Sequence, residues 1–101
     1  MLMTKRKPAT VAGILVEEFM VPLGLTQAAL ATAMGVQRKH VNELCNNRRG
    51  VTAPTAVILA RVFGNSPKFW LNVQRRCDLW NAMNSPRDRE RIRRAKPLKA
   101  A

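Results

Sequence analysis

At 101 residues the chain is long enough for one small domain and too short for two. Hydrophobic residues make up 47%, which excludes wholesale disorder, and only five residues are aromatic, which favours small closely packed helices over a β-sandwich. The net charge of +12 suits a polyanionic partner, nucleic acid first, and no apolar run approaches the ~20 residues of a membrane span.

Residues 1–9 read as a basic arm. Lys5, Arg6 and Lys7 carry three of the positive charges, and no apolar stretch follows that would make this a secretory signal. A proteome basic throughout would produce the same total, so the placement of charge carries more information than its sum. Residues 86–101 hold seven Lys/Arg against Asp88 and Glu90, and the body between the two termini is far less charged.

From residue 10 onward the apolar spacing is helical. Segment 10–20 places Val11, Ile14, Leu15 and Phe19 on one stripe, with Pro22 and Gly24 expected to break it. Segment 26–34 offers Ala28, Leu30, Ala31 and Met34, with Thr26 as its cap. Segment 37–46 has Val41, Leu44 and Cys45. Segment 53–63 has Ala56, Leu59, Ala60 and Phe63, capped by Thr52. Segment 67–83 has Trp70, Val73, Cys77 and Trp80, and Ser66-Pro67 supplies a capping hydroxyl before a proline at the first helical position. Ser85-Pro86-Arg87-Asp88 repeats that start. The helix it opens, PRDRERIRRAK, has Ile92 as its one large apolar residue and is expected to fray without a partner. No stretch alternates strictly enough for a strand. The expected fold class is all-α: a compact five-helix domain over 10–84, with a basic C-terminal tail at 85–101.

Cys45 and Cys77 lie far apart with no CxxC, and His40 is the sole histidine. That pattern argues against a disulfide framework, a metal site or a cofactor. Both cysteines read as small core residues in a reducing cytoplasm. No nucleophile–base–acid set and no glycine-rich phosphate loop is present, so an enzyme is not expected.

The stretch MGVQRKHVNELCNNRRG carries the strongest functional signal. Gly35 separates two short helices, and small Ala31 lets them cross closely, the pattern of a helix-turn-helix. On the second helix Val41, Leu44 and Cys45 form the buried side. Lys39, Asn42, Glu43 and Asn46 fall opposite, with Gln37 and Arg38 at the N-terminal end. Two readings of that arc stand. It is a solvated face, with Lys39 and Glu43 paired at i, i+4, or it is a reading head for the major groove. In the second, Arg38 and Lys39 donate to guanine, Gln37 and Asn42 pair with adenine, and Glu43 accepts from cytosine N4. Arg48 and Arg49, just past the helix, would meet phosphates, and Gln27 adds a donor at the N-terminus of the preceding helix. His40 reads as structural.

LTQAALATAMGVQRKHVNEL resembles the helix-turn-helix of the Xre/Cro phage-repressor-like proteins. GILVEEFMVPLGLTQAALA and NNRRGVTAPTAVILARVFGNSPKFWLNVQRRCDL are, more specifically, similar to the HigA antitoxins of type II toxin–antitoxin modules, and the match covers about residues 8 to 83. The resemblance implies a dimer that binds double-stranded operator DNA as a palindrome in its own promoter. It also implies a HigB-type toxin partner, a small basic ribonuclease of the RelE-like fold, and a bacterial cytoplasmic location. The DNA-facing set it implies is Gln27, Gln37, Arg38, Lys39, Asn42 and Glu43, with Arg48 and Arg49 on the backbone. The family usually carries small residues where Gln37-Arg38-Lys39 stands here, so the operator does not transfer, and the tail after Ser85 lies outside the match.

The same resemblance implies dimerisation through helix 67–83. Phe69, Trp70, Leu71, Val73, Leu79, Trp80 and Met83 wrap more than one face of that helix, which one small core cannot easily cover. The alternative is that both tryptophans cap the subunit's own core. Glu17-Glu18 is the acidic cluster nominated for a basic toxin. Two other functions compete with the antitoxin: a stand-alone regulator of the same fold with no toxin, and an RNA-binding protein using the arginine-rich tail. The last lacks exposed aromatic platforms for bases.

Overall fold

The computed structural model describes residues 6–98. Six helices follow one another in the order α1 (Val11–Leu23), α2 (Gln27–Met34), α3 (Arg38–Cys45), α4 (Ala53–Phe63), α5 (Pro67–Asn84) and α6 (Pro86–Arg94). No strand occurs among the described residues. The expected caps form: Thr26 Oγ1 accepts from Ala29 N–H, Thr52 Oγ1 from Thr55 N–H, Ser66 Oγ from Lys68 N–H and Ser85 Oγ from Asp88 N–H. Thr10 caps α1 in the same way, accepting from Gly13 N–H at 3.0 Å.

The first helix does not stop at Pro22. It runs on to Leu23 through a widened stretch, Leu15–Met20, closed by Val21 N–H bonding to Val16 C=O, five residues back. In an α-helix the pyrrolidine ring collides with the carbonyl four residues earlier. A five-residue turn moves that carbonyl away, so the proline is carried inside the helix.

The core is one cluster. Leu15, Leu30, Val41, Leu44, Leu59 and Trp70 are its most deeply buried large side chains. Phe19, Phe63 and Trp70 join α1, α4 and α5 with ring centroids 4.8–6.0 Å apart, and Trp70 Nε1–H donates to Asn65 Oδ1 at 2.9 Å. The indole is thus buried with its one polar group satisfied. Cys45 and Cys77 are both free thiols. Burial pushes each above the usual thiol range, with Cys45 against Met20 Sδ and Cys77 donating to Ala9 C=O.

The loop between α3 and α4 is fastened by one side chain. Gln74 Oε1 accepts from Val51 N–H at 2.9 Å, while its Nε2 donates to Asp78 Oδ1 at 2.9 Å. A Cβ on Gly50 would approach Gln74 Oε1 to 3.3 Å, so glycine leaves room for the clamp. Gln74→Ala strands the N–H of buried Val51. It is expected to cost about 1–3 kcal/mol, measured as a shifted denaturant midpoint.

With its tail included the chain is elongated: its radius of gyration is 16.5 Å, against about 13 Å for a compact chain of ~100 residues. The cause is α5, whose 18 residues extend about 27 Å and carry α6 out of the body. The short helix that Ser85-Pro86 was expected to open is present. Pro86–Arg94 is helical although none of its residues is buried, held by the Ser85 cap and by Arg91–Asp88, Arg93–Glu90 and Arg94–Glu90 pairs at 3.6, 2.6 and 3.5 Å.

Candidate nucleic-acid interface

Helices α2 and α3 meet through a turn at Gly35, whose φ of +69° is strained for any residue with a Cβ. Leu30, Ala31, Val41 and Leu44 are buried between them, as the pattern required. The opposite side of α3 holds Arg38, Lys39, Asn42, Glu43 and Asn46 within an arc of about 140° at 100° per residue. All of these are exposed except Glu43, which is half-buried. Gln37 occupies the N-cap position with extended backbone, and its side chain makes no cap bond there.

Side chains across the arc are linked. Asn42 Nδ2 donates to Gln27 Oε1 at 3.1 Å, tying the start of α2 to the middle of α3. Lys39 and Glu43 do not pair. Glu43 is held instead by Arg49, at 2.8 Å from Nη2 and 3.0 Å from Nε. The i, i+4 spacing that suggested Lys39 loses to a turn that brings Arg49 back over the helix. That turn is built by Asn47 at φ +58°, with Arg48 N–H on Glu43 C=O at 2.8 Å and Asn47 N–H on Leu44 C=O at 3.3 Å. This is a Schellman closure, with asparagine in the place glycine usually takes. Among the described residues no ion pair engages Arg38, Lys39 or Arg48, so three cations stay available around the arc.

His40 lies behind this face, half-buried, with Nε2 buried and without a hydrogen-bond partner among the described residues. Burial first, then the Arg49 charge, pushes it below the usual imidazole range, against a smaller opposing pull from Glu43. It is therefore uncharged at neutral pH.

The residues named for a dimer surface divide. Trp70 and Val73 are inside the subunit, at 0% and 8% exposure, because α1 and α4 pack over that side of α5. Phe69 is partly exposed and packs edge-on to Trp70 with centroids 5.0 Å apart. Trp80 is half-buried, with Lys7 Nζ 5.9 Å from its ring centroid. Met83 and Leu79 are exposed, and so is Ile92, which was not named for this surface. Met83 and Ile92 line a groove between α5 and α6 together with Pro86 and Arg89. The signal available for Ile92 was an apolar residue on a helix with no core stripe of its own.

Two short helices crossed at a glycine turn, with an open polar arc on the second and unpaired cations beside it, define a DNA-binding protein of the helix-turn-helix class. Residues 16–70 match the family model described as Helix-turn-helix. The chain belongs to the HigA antitoxin family within that class: it is 49% identical over 96 residues to antitoxin HigA-1 of Vibrio cholerae serotype O1, covering 94% of this chain and 88% of the relative. Antitoxin GraA in complex with its operator superposes with a TM-score of 0.84 at 35% identity, covering 99% of this chain and all of that one. Pseudomonas aeruginosa antitoxin HigA with the higBA promoter superposes at 0.82 with 32% identity, covering 91% and 99%. Members of this family are DNA-binding proteins and not enzymes. No single helix among the described residues is long and apolar enough to cross a membrane.

Proposed function

We propose that this protein is the antitoxin of a type II module. As a homodimer it represses its own operon, and it neutralises a HigB-type toxin of the RelE-like fold. The observation that carries the DNA half is the open arc of α3, seen in a chain 35% identical to an antitoxin that binds its operator. Arg38 and Lys39 reach guanine edges and Gln37 and Asn42 reach adenine. Glu43 accepts from cytosine, while Arg48 and Gln27 hold phosphates. The amide pair between Asn42 and Gln27 couples the base contact to the backbone contact.

Dimerisation uses the second half of α5 with α6, where Leu79, Met83 and Ile92 expose apolar surface. A two-fold dimer places its half-sites about one helical turn, ~34 Å, apart. Glu17 and Glu18 are exposed on α1 and are the acidic pair offered to a basic toxin.

Expression of the neighbouring small reading frame tests the toxin half. Growth arrest by that frame alone, with rescue and co-purification when this protein is co-expressed, is the expected result. If neither neighbouring frame arrests growth, the protein is a stand-alone regulator of the same fold.

A further inference from the structure

Glu43 is a carboxylate on a surface meant for a polyanion, and Arg49 spends its guanidinium on it. Both guanidinium contacts go to the same oxygen, Oε1. Oε2 has no partner among the described residues and remains an open acceptor. The pair is not the usual one-turn spacing of a helix surface. It exists because the closure at Asn47 reverses the chain at Glu43, with Arg48 N–H fixing the Glu43 carbonyl. The Gln74 clamp on Val51 then holds the far end of that loop to α5. Backbone and side chain of Glu43 are therefore both fastened by the two residues that follow the turn. The Glu43 side chain is only 27% exposed and that of Arg49 46%, so the pair is partly withdrawn from water.

We propose that Arg49 is a positioning residue that acts on DNA through Glu43, masking its charge from the phosphates and aiming Oε2 at a base amino group. It rests on the DNA-binding reading above. A guanidinium engaged in this way adds nothing to phosphate grip. An unmasked carboxylate in its place repels the backbone, and a masked, oriented one accepts from a cytosine N4 amino group. Arg48 and Arg49, adjacent in sequence and alike in charge, therefore have different tasks: Arg48 grips, and Arg49 sets base preference at one position of each half-site.

The test is a double-mutant cycle on the full chain with E43Q, R49A and E43Q/R49A, and R48A as comparator. Binding is followed by anisotropy over a range of salt. The probes are a duplex that the wild type selects from a random-sequence pool and an unselected duplex of equal length. R49A is expected to weaken the selected duplex tenfold or more, and E43Q/R49A to recover most of that loss. E43Q alone frees Arg49 for phosphate. It should bind the unselected duplex more tightly, steepen the salt dependence by about one unit of slope, and relax preference at one base position. R48A should lower the slope by about one with or without E43Q. Equal losses for R49A in both backgrounds, with the slope lowered as in R48A, would make Arg49 a direct phosphate contact and overturn the proposal. A wild type that enriches no duplex refutes the DNA-binding reading itself, and the proposal with it. Retained helical circular dichroism in each variant separates these outcomes from misfolding.

Discussion

Trp70→Ala is expected to destabilise the subunit by about 3–5 kcal/mol, the range for emptying a buried aromatic site. Trp70 is fully buried, and Phe19, Phe63 and Phe69 all lie against its ring. Its removal leaves a cavity bounded by three helices and strands the Asn65 carbonyl oxygen that accepted its N–H. A small domain has a total stability of roughly 5–15 kcal/mol, so the loss is a large fraction of the total and the folding midpoint should fall well below that of the wild type. Chemical denaturation at several protein concentrations measures the effect. Met83→Asp is the contrast: Met83 is 51% exposed. That change should leave subunit helicity intact while dissociating the proposed dimer, read by sedimentation. If Trp70→Ala lost only self-association and kept its folding midpoint, the placement of Trp70 in the subunit core would be wrong.

Arg38→Ala and Lys39→Ala are expected to cost about 1–3 kcal/mol each in binding to a selected operator, or about five- to 150-fold, with a much smaller loss on unselected DNA. Both side chains are exposed on the first turn of α3 and neither is spent on an ion pair among the described residues. Competition binding with single-base operator variants would locate the position each one reads, because discrimination there should relax in the matching alanine variant. Unchanged operator affinity in both would move the reading face away from the start of α3. Gln37 stands beside them with its side chain uncommitted to the cap, so Gln37→Ala belongs in the same series.

Much of this was legible in the chain. Periodic apolar residues mark where each helix buries a stripe, and the Thr26, Thr52, Ser66 and Ser85 caps follow from hydroxyls that satisfy orphan N–H groups within three residues. Gly35 and the polar arc of α3 could be placed for the same reason, since local spacing alone decides which side chains share a face. Pro22 misled, because the penalty for proline assumes an α-turn and the chain adopts a wider one. The tail helix was legible through its Ser85-Pro86 start, and a cap and three short-range ion pairs lie within its own sequence.

Other features depended on groups that only folding brings together. An aromatic side chain on α5 is core or surface according to what packs over it, and α1 and α4 cover Trp70 while leaving Met83 bare. The partner of Glu43 was undecidable from spacing, because Lys39 at i, i+4 and Arg49 beyond the helix were both within reach in principle. The closure at Asn47 settles it by reversing the chain. Gln74 and Val51, 23 residues apart, meet only because α5 runs beside the loop that follows α3. Local pattern thus determined the helices, their caps and the class of surface that α3 presents. The tertiary structure decided which charges on that surface remain available, since ion pairing depends on distances that the chain's turns, and not its order of residues, create.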